Sequence, residues 1–203
     1  MSLFPIFLKL EGRRCLVVGA GKVGEPKIQS LLASNAEVVV VAPEASTKVQ
    51  GWAASGTITW NRRGFESSDL DGAVLVIAAT ASEEINEAVF LDAQRRSILC
   101  NSVDDPEHCD FYYPAVIRRG DFQVAISTAG HSPALAQRLR TELEEQFGPE
   151  YAGWVSELGR VRQELFAAEM NSEERKQRLR ELASRKAFET AQLSERIYAR
   201  TEA

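Results

Sequence analysis

Apolar and polar positions follow two different periods along the first hundred residues. Short apolar runs typical of strands lie at Arg14–Val18, Glu37–Ala42, Thr57–Trp60, Ala73–Ala79 and Ser97–Asn101. The β-branched run at Glu37–Ala42 indicates a parallel strand covered on both faces, and we expect Pro43 to end it. The run at Thr57–Trp60 is the weakest of the five.

Helical periodicity fills the intervals between these strands. Lys22–Ser34 gathers several apolar side chains on one face, and Glu83–Arg95 predicts a second helix. Because strands that alternate with helices are joined by right-handed crossovers, the pattern predicts an α/β fold with a doubly wound parallel sheet.

The pattern changes after about residue 112. Phe122–Ser127 predicts another strand, and the Ser132-Pro133 pair predicts the start of a helix that runs to about Phe147. We expect Gly148-Pro149 to stop that helix and to mark a boundary.

The C-terminal part is rich in Glu, Arg, Leu and Ala. Leu158, Val161 and Leu165 share one helical face, and Asn171 followed by Glu174 fits a capping box for a further helix. The sequence therefore predicts three parts: residues 1–112, a segment at 113–148, and a helical domain at 149–203.

A glycine-rich stretch carries the first sign of chemistry. Gly19-Ala20-Gly21-Lys22-Val23-Gly24 is a GxGxxG that directly follows a predicted strand and opens a helix. Gly19 permits the tight turn, Gly21 admits a pyrophosphate to the backbone, and Gly24 allows close packing of helix on strand. The helix N-terminus favours the phosphates, so the setting predicts a Rossmann-type dinucleotide site.

The acid expected to hold the adenosine ribose is displaced. Glu44 follows Pro43 and is only a candidate, and the chain shows no arginine at that position. We therefore favour NAD over NADP. Thr80, in the Thr80-Ala81-Ser82 stretch after the next strand, suits contact with the cofactor, although a helix cap explains this stretch as well.

Two further clusters follow predicted strands. Asn101-Ser102-Val103-Asp104-Asp105 places carboxylates at the nicotinamide end of a bound cofactor, where a general base is useful, although paired aspartates also form turns and caps. The Ser127–Pro133 stretch, with Ser127, Thr128, Gly130 and Ser132, offers a second anion site at a helix start.

Composition narrows the function classes. The chain has 203 residues, 44% of them apolar, and a net charge of −5, which argues against nucleic acid as a partner. No apolar run is long enough to span a bilayer. The N-terminus lacks the pattern of a secretory signal, so we expect a cytoplasmic protein with no membrane partner. The three scattered cysteines and two histidines indicate no metal site.

Together these motifs resemble one family. In chain order they are Leu3–Phe7, Cys15–Gly24, Val41–Glu44, Ala78–Thr80, Cys100–Asp105, Phe111–Pro114 and Ile126–Arg140. Their order is similar to that of the precorrin-2 dehydrogenase family, which comprises the sirohaem synthase N-terminal modules and their stand-alone relatives. Two positions depart from the family pattern: Pro26 stands where a basic residue is usual, and Ser102 where valine is common.

The resemblance implies a fold, an activity and a site. It implies a Rossmann domain, a dimerisation segment at 113–148, a small helical domain and a homodimer in which NAD accepts a hydride from precorrin-2. Asp104 matches the family's essential aspartate, and Lys22-Val23 and Pro43-Glu44 match cofactor-contact positions. Asn101, Ser127, Thr128, Gly130 and Ser132 are the expected contacts with the carboxylate-rich substrate.

Two alternatives stay open at this point. One adds ferrochelatase activity, in which Fe²⁺ is inserted into sirohydrochlorin, the oxidised product. The other is a module that senses NAD or carries a tetrapyrrole without turnover. A carboxylate at the nicotinamide edge favours the enzyme, because a sensor has no use for a base there.

Overall fold

Five parallel strands form a single sheet in the computed structural model, which describes residues 3–192. They are β1 at Arg14–Ala20, β2 at Glu37–Ala45, β3 at Thr59–Asn61, β4 at Leu75–Ala78 and β5 at Leu99–Ser102. Their order across the sheet is β3-β2-β1-β4-β5. This order reverses between β1 and β4, and such reversals are where open α/β sheets bind their ligands.

Helices cover both faces of this sheet. They are α1 at Gly24–Leu32, α2 at Thr47–Ala54 and α3 at Glu83–Arg95, with short 3₁₀ turns at Ser67–Leu70 and Pro106–His108. Alternate residues of β1 face opposite sides, so that Val17 packs with Ile28 of α1 and Leu16 packs with Val89 of α3. The predicted doubly wound α/β fold is confirmed.

Pro43 does not end the second strand, contrary to the prediction. β2 continues to Ala45, and its register against β1 shifts between Val18 and Ala20. On its other edge β2 pairs with β3 only as far as Val41. Proline is tolerated at such an irregularity because no ladder hydrogen bond requires its missing N–H.

Two elements are absent from the prediction. Helix α2 has Gly51 in its middle and a weak apolar face, but Ser46 caps its N-terminus by accepting a hydrogen bond from Val49 N at 3.3 Å. The second is a strand, β6, at Ala115–Arg119, which pairs with β7 at Phe122–Ile126 as an antiparallel hairpin.

The chain divides into two compact units, the first ending at Tyr112 and the second beginning at Tyr113. The described residues of the second unit contain the hairpin and the helices α4 at Pro133–Gln146, α5 at Glu150–Ala167 and α6 at Ser172–Leu182, followed by a helical stretch over residues 185–192. The division of this part at 148 stays a prediction. As predicted, Asn171 caps α6 by accepting a hydrogen bond from Glu174 N at 2.9 Å.

Within residues 3–192, no helix combines the length and the apolar character that a membrane crossing requires.

Candidate dinucleotide-binding site

The loop between β1 and α1 is shaped by three glycines with different environments. Gly19 has a φ of +102°, and a Cβ there would strike the backbone of Ala79 at the end of β4. A Cβ at Gly24 would strike the carbonyl oxygen of Gly19, whereas a Cβ at Gly21 would meet nothing within 4 Å. Two glycines therefore pack the loop onto the sheet, and the third leaves its backbone open to a ligand.

The N-terminus of α1 is available to an anion. Val23 occupies the cap position without a side-chain hydrogen bond to the first turn. The nearby Glu25 carboxylate accepts a hydrogen bond from Ser46 Oγ at 2.7 Å and pairs with Lys48, which together hold its pKa below the usual value. The positive end of the helix dipole therefore faces the loop, as a phosphate requires.

A cleft of about 630 Å³ opens in front of this loop. Its lining combines the ends of β1, β2 and β4 with the segments that follow β3 and β5. The predicted site residues that line it are Gly19, Gly21, Lys22, Val23, Pro43, Glu44, Thr80 and Asp104. Asp104 and the glycine loop therefore share one cavity, although they are far apart in the sequence.

The wall of the cleft includes apolar side chains that are exposed. Val23 is 47% exposed and Ile85 is 41% exposed, and both line the cleft together with Phe65. Ligand clefts usually combine such apolar surface with a few placed polar groups. Apolar walls around an uncapped helix end fit a ligand with flat rings and a phosphate-bearing middle, as a nicotinamide dinucleotide has.

Arg63 lines the cleft, although the sequence analysis, which considered only the residues at the end of β2, did not predict it. Arg63 follows β3 and lines the cleft with Pro43 and Glu44. Its guanidinium donates to both carboxylate oxygens of the buried Asp69, at 2.6 and 2.8 Å. Burial raises the pKa of Asp69, but this ion pair and the Glu66 N–H more than offset it and hold the pKa below the usual value.

Thr80 is held by a residue that the sequence analysis missed. Asn86, 7% exposed on α3, accepts from Thr80 Oγ1 at 2.7 Å and from Thr80 N at 3.2 Å, and its Nδ2 donates to Thr80 O at 3.2 Å. Ser82 caps α3, as the alternative interpretation of this stretch predicted. A buried asparagine six residues after the strand-end threonine is the signal that could have revealed this clamp.

Asp104 lies on a loop whose backbone is tightly determined. It is exposed, lines the cleft and has a φ of +63°, a region that residues other than glycine adopt at a cost. Val103 N donates to Ala78 O at 2.9 Å, which ties the loop to β4. The structure thus fixes this carboxylate at the carboxyl edge of the sheet.

Asn101 supports this loop from below. It is 6% exposed, outside the lining of the cleft, and its Nδ2 donates to Phe111 O at 2.8 Å and to Cys109 Sγ at 3.2 Å. These contacts position the loop, and direct contact of Asn101 with substrate stays a prediction.

The end of the loop carries a second carboxylate with a different function. Asp105 Oδ2 lies 2.5 Å from His108 Nδ1, and this hydrogen bond raises the pKa of His108. The His108 ring also packs against Phe90, with 4.8 Å between ring centroids. Of the two adjacent aspartates, Asp104 lines the cleft and Asp105 binds a histidine.

The other predicted anion site lies in the second unit, at the start of α4. Ser127 Oγ accepts from Ala129 N, Thr128 Oγ1 from Ser132 N and Ser132 Oγ from Leu135 N, each at 3.1 or 3.2 Å. The hydroxyls therefore cap their own loop, and their contact with substrate stays a prediction.

In residues 3–192 no group of three or more His, Cys, Asp or Glu side chains is placed to hold a metal ion.

Comparison with known proteins agrees with this geometry. Residues 6–115 match the profile of a family described as NAD(P)-binding, and residues 119–146 match the central domain of sirohaem biosynthesis proteins. A solved structure titled "SirC, precorrin-2 dehydrogenase" superposes with a TM-score of 0.79 at 25% identity, covering 92% of each chain. The chain belongs to the sirohaem synthase and precorrin-2 dehydrogenase family. The NAD(P)-binding family and the dehydrogenase of similar structure support a nicotinamide cofactor for this chain.

Curated members of the family are longer than this chain. Siroheme synthase 1 of Aeromonas hydrophila is 39% identical over 82% of the chain but only 36% of its own length. Siroheme synthase of Nitrosococcus oceani is 37% identical over 100% of the chain and 42% of its own length. The chain thus spans less than half the length of these relatives.

Proposed function

We propose that this chain catalyses the NAD-dependent oxidation of precorrin-2 to sirohydrochlorin. The observation that carries the proposal is that Asp104 shares one cleft with the glycine loop at the point where the strand order reverses. The names of its relatives, siroheme synthase and precorrin-2 dehydrogenase, support the same reaction.

The residues of the cleft have different roles in binding the cofactor and in proton transfer. The backbone at Gly21 and the first turn of α1 hold the pyrophosphate, and Glu44, which lines the same cleft, is the candidate for binding the ribose hydroxyls. NAD supplies the hydride acceptor. The substrate loses a hydride and a proton, and Asp104 accepts that proton or orients the ring from which it leaves.

NAD is favoured over NADP by the charges at the adenosine end. Glu44 would repel a 2′-phosphate, and the nearby Arg63 is bound in two hydrogen bonds to Asp69. We expect kcat/KM for NAD to exceed that for NADP by about tenfold or more, since a difference of 1.4 kcal/mol suffices. Glu44→Gln should reduce this preference, and equal efficiency of the wild type with both cofactors would contradict the assignment.

The catalytic role of Asp104 is tested against its neighbour. Under anaerobic conditions, Asp104→Asn should slow NAD-dependent sirohydrochlorin formation by about 100-fold or more, since about 100-fold is the lower end of the range for a placed acid or base. The affinity for NAD should stay the same. Asp105→Asn is the matched control, because Asp105 binds His108 and lies outside the lining of the cleft. Normal turnover by Asp104→Asn would remove Asp104 from the mechanism.

The proposal extends to assembly and location. Phe4, Ile6, Phe7 and Leu8 near the N-terminus are 44–85% exposed, and apolar surface of this kind supports the homodimer that the family resemblance implies. Light scattering of the purified chain tests this assembly.

The cytoplasmic location also stays a prediction, which cell fractionation tests.

A further inference from the structure

Asn86 is a buried polar residue of α3 to which the proposed reaction gives no role. Only 7% of it is exposed, and it is not among the described residues that line the dinucleotide cleft. Its amide faces the backbone that follows β4. The Thr80 N–H donates to Asn86 Oδ1 at 3.2 Å, and Asn86 Nδ2 donates to Thr80 O at 3.2 Å. Both backbone polar groups of Thr80 are therefore paired with one side chain.

These hydrogen bonds require an amide at position 86. A backbone N–H can only donate and a carbonyl oxygen can only accept, so the side chain must present one oxygen and one NH₂ group at these two places. A third hydrogen bond joins Thr80 Oγ1 to Asn86 Oδ1 at 2.7 Å, and Thr80 Oγ1 accepts from Ser82 N at 3.2 Å. Since Ser82 caps α3, the turn at residues 80–82 is fixed to the start of that helix.

The backbone that Asn86 holds is the surface against which the glycine loop packs. A Cβ at Gly19 would lie 2.3 Å from Ala79 O and 3.0 Å from Thr80 N, so the loop and the peptide between Ala79 and Thr80 are in close contact. Rotation of this peptide would drive its oxygen or its N–H against Gly19. The same peptide also lines the cleft. The place of the glycine loop, and with it the site for the pyrophosphate, therefore depends on how this peptide is held.

We propose that Asn86 is a positioning residue for dinucleotide binding, whose amide holds the Ala79–Thr80 peptide in the orientation on which the glycine loop packs. It acts through this peptide and does not touch the ligand itself. The inference rests on the proposed function only for the identity of the ligand, NAD, and it requires no turnover.

Calorimetric titration of NAD into the purified full chain, well below its Tm, tests this role. Asn86→Leu keeps the size of the side chain and removes all three hydrogen bonds, so the Kd for NAD should rise at least about tenfold, or 1.4 kcal/mol. Asn86→Ala leaves room for water, which can partly replace the amide, so its Kd should rise by a smaller factor of at least about threefold. The Ala variant decides if the Leu variant does not fold. Wild-type affinity in the folded variants overturns the inference.

A loss of packing on the same helix is the matched control. Val89 is fully buried in the apolar cluster between α3 and the sheet, and the described lining of the cleft does not include it. Val89→Ala should lower Tm but change the Kd for NAD less than about twofold. If it weakens NAD binding as much as Asn86→Ala does, Asn86 only stabilises α3 and the inference is overturned.

The inference and the proposed function fail in different ways. A wild-type chain that binds NAD but does not oxidise precorrin-2 refutes the proposed function, and the titrations of the Asn86 variants still decide on Asn86. A wild-type chain that does not bind NAD overturns both.

Discussion

The two glycines at the start of α1 should fail in different ways when each is replaced by alanine. A Cβ at Gly24 would strike the Gly19 carbonyl oxygen, which no rotamer change can move, whereas a Cβ at Gly21 would stand in open space within the cleft lining. Gly24→Ala therefore disturbs packing, and Gly21→Ala disturbs only what binds there.

The magnitudes follow from these two environments. Overpacking at Gly24 costs about 2–3 kcal/mol, the upper part of the usual range because the Cβ meets a backbone oxygen, and the better helix propensity of alanine returns about 1 kcal/mol of this. The net loss predicts a fall in Tm of roughly 2–8 °C for a chain of this length. Gly21→Ala should leave Tm within about 1 °C but weaken NAD binding about 10- to 100-fold, since a charged hydrogen bond contributes about 1.5–3 kcal/mol.

Thermal unfolding and NADH fluorescence titration of both variants measure the two effects. Each variant serves as the control for the other. Only Gly24→Ala should lose stability, and only Gly21→Ala should lose affinity for NADH. A Gly21→Ala protein that binds NADH like the wild type, or a Gly24→Ala protein of unchanged Tm, would refute this interpretation of the loop.

Three other predictions follow from buried or paired side chains. Asp69→Asn should cost about 1.5–3 kcal/mol in urea unfolding and narrow the preference for NAD, because it releases Arg63 at the adenosine end of the cleft; unchanged stability would argue against this anchor. Ser102 is 1% exposed and its Oγ has no hydrogen-bond partner among the described residues, so Ser102→Ala should gain about 1 kcal/mol, and a loss would point to a partner. The hydrogen bond to Asp105 raises the folded-state pKa of His108 above its unfolded value of about 6.5. The contribution of this hydrogen bond to stability is therefore full below about pH 6.5 and is lost as the pH rises through the folded-state pKa. The Tm difference between wild type and His108→Gln should shrink over that pH range, and a constant difference would contradict this assignment.

The sheet could be predicted from the sequence because each of its strands has a local apolar pattern. The apolar run that begins after Arg14 and the runs of the two strands beside it, β2 and β4, have no polar residue in their interiors. Ser82, which caps the helix at Glu83–Arg95, marks the first residue of that helix. Pro43 misled the prediction because the irregular pairing that tolerates it depends on β1 and β3, which are distant in the sequence.

The site was only partly predictable for the same reason. The glycine loop and Asp104 each carry a local signal, but Arg63 and Asn86 become part of the site through contacts between different elements. No spacing rule along a single element indicates such residues. Conversely, Asn101 has the position of a substrate contact but the hydrogen bonds of a structural anchor.

The proposed reaction requires that this chain itself transfers a hydride from precorrin-2 to NAD. The most direct measurement mixes the purified wild-type protein anaerobically with precorrin-2 and NAD and follows NADH and sirohydrochlorin together. We expect both to appear at equal rates, about one NADH for each sirohydrochlorin, and neither to appear without NAD. Sirohydrochlorin that forms at the same rate without NAD, or no formation at all, would contradict the proposed reaction.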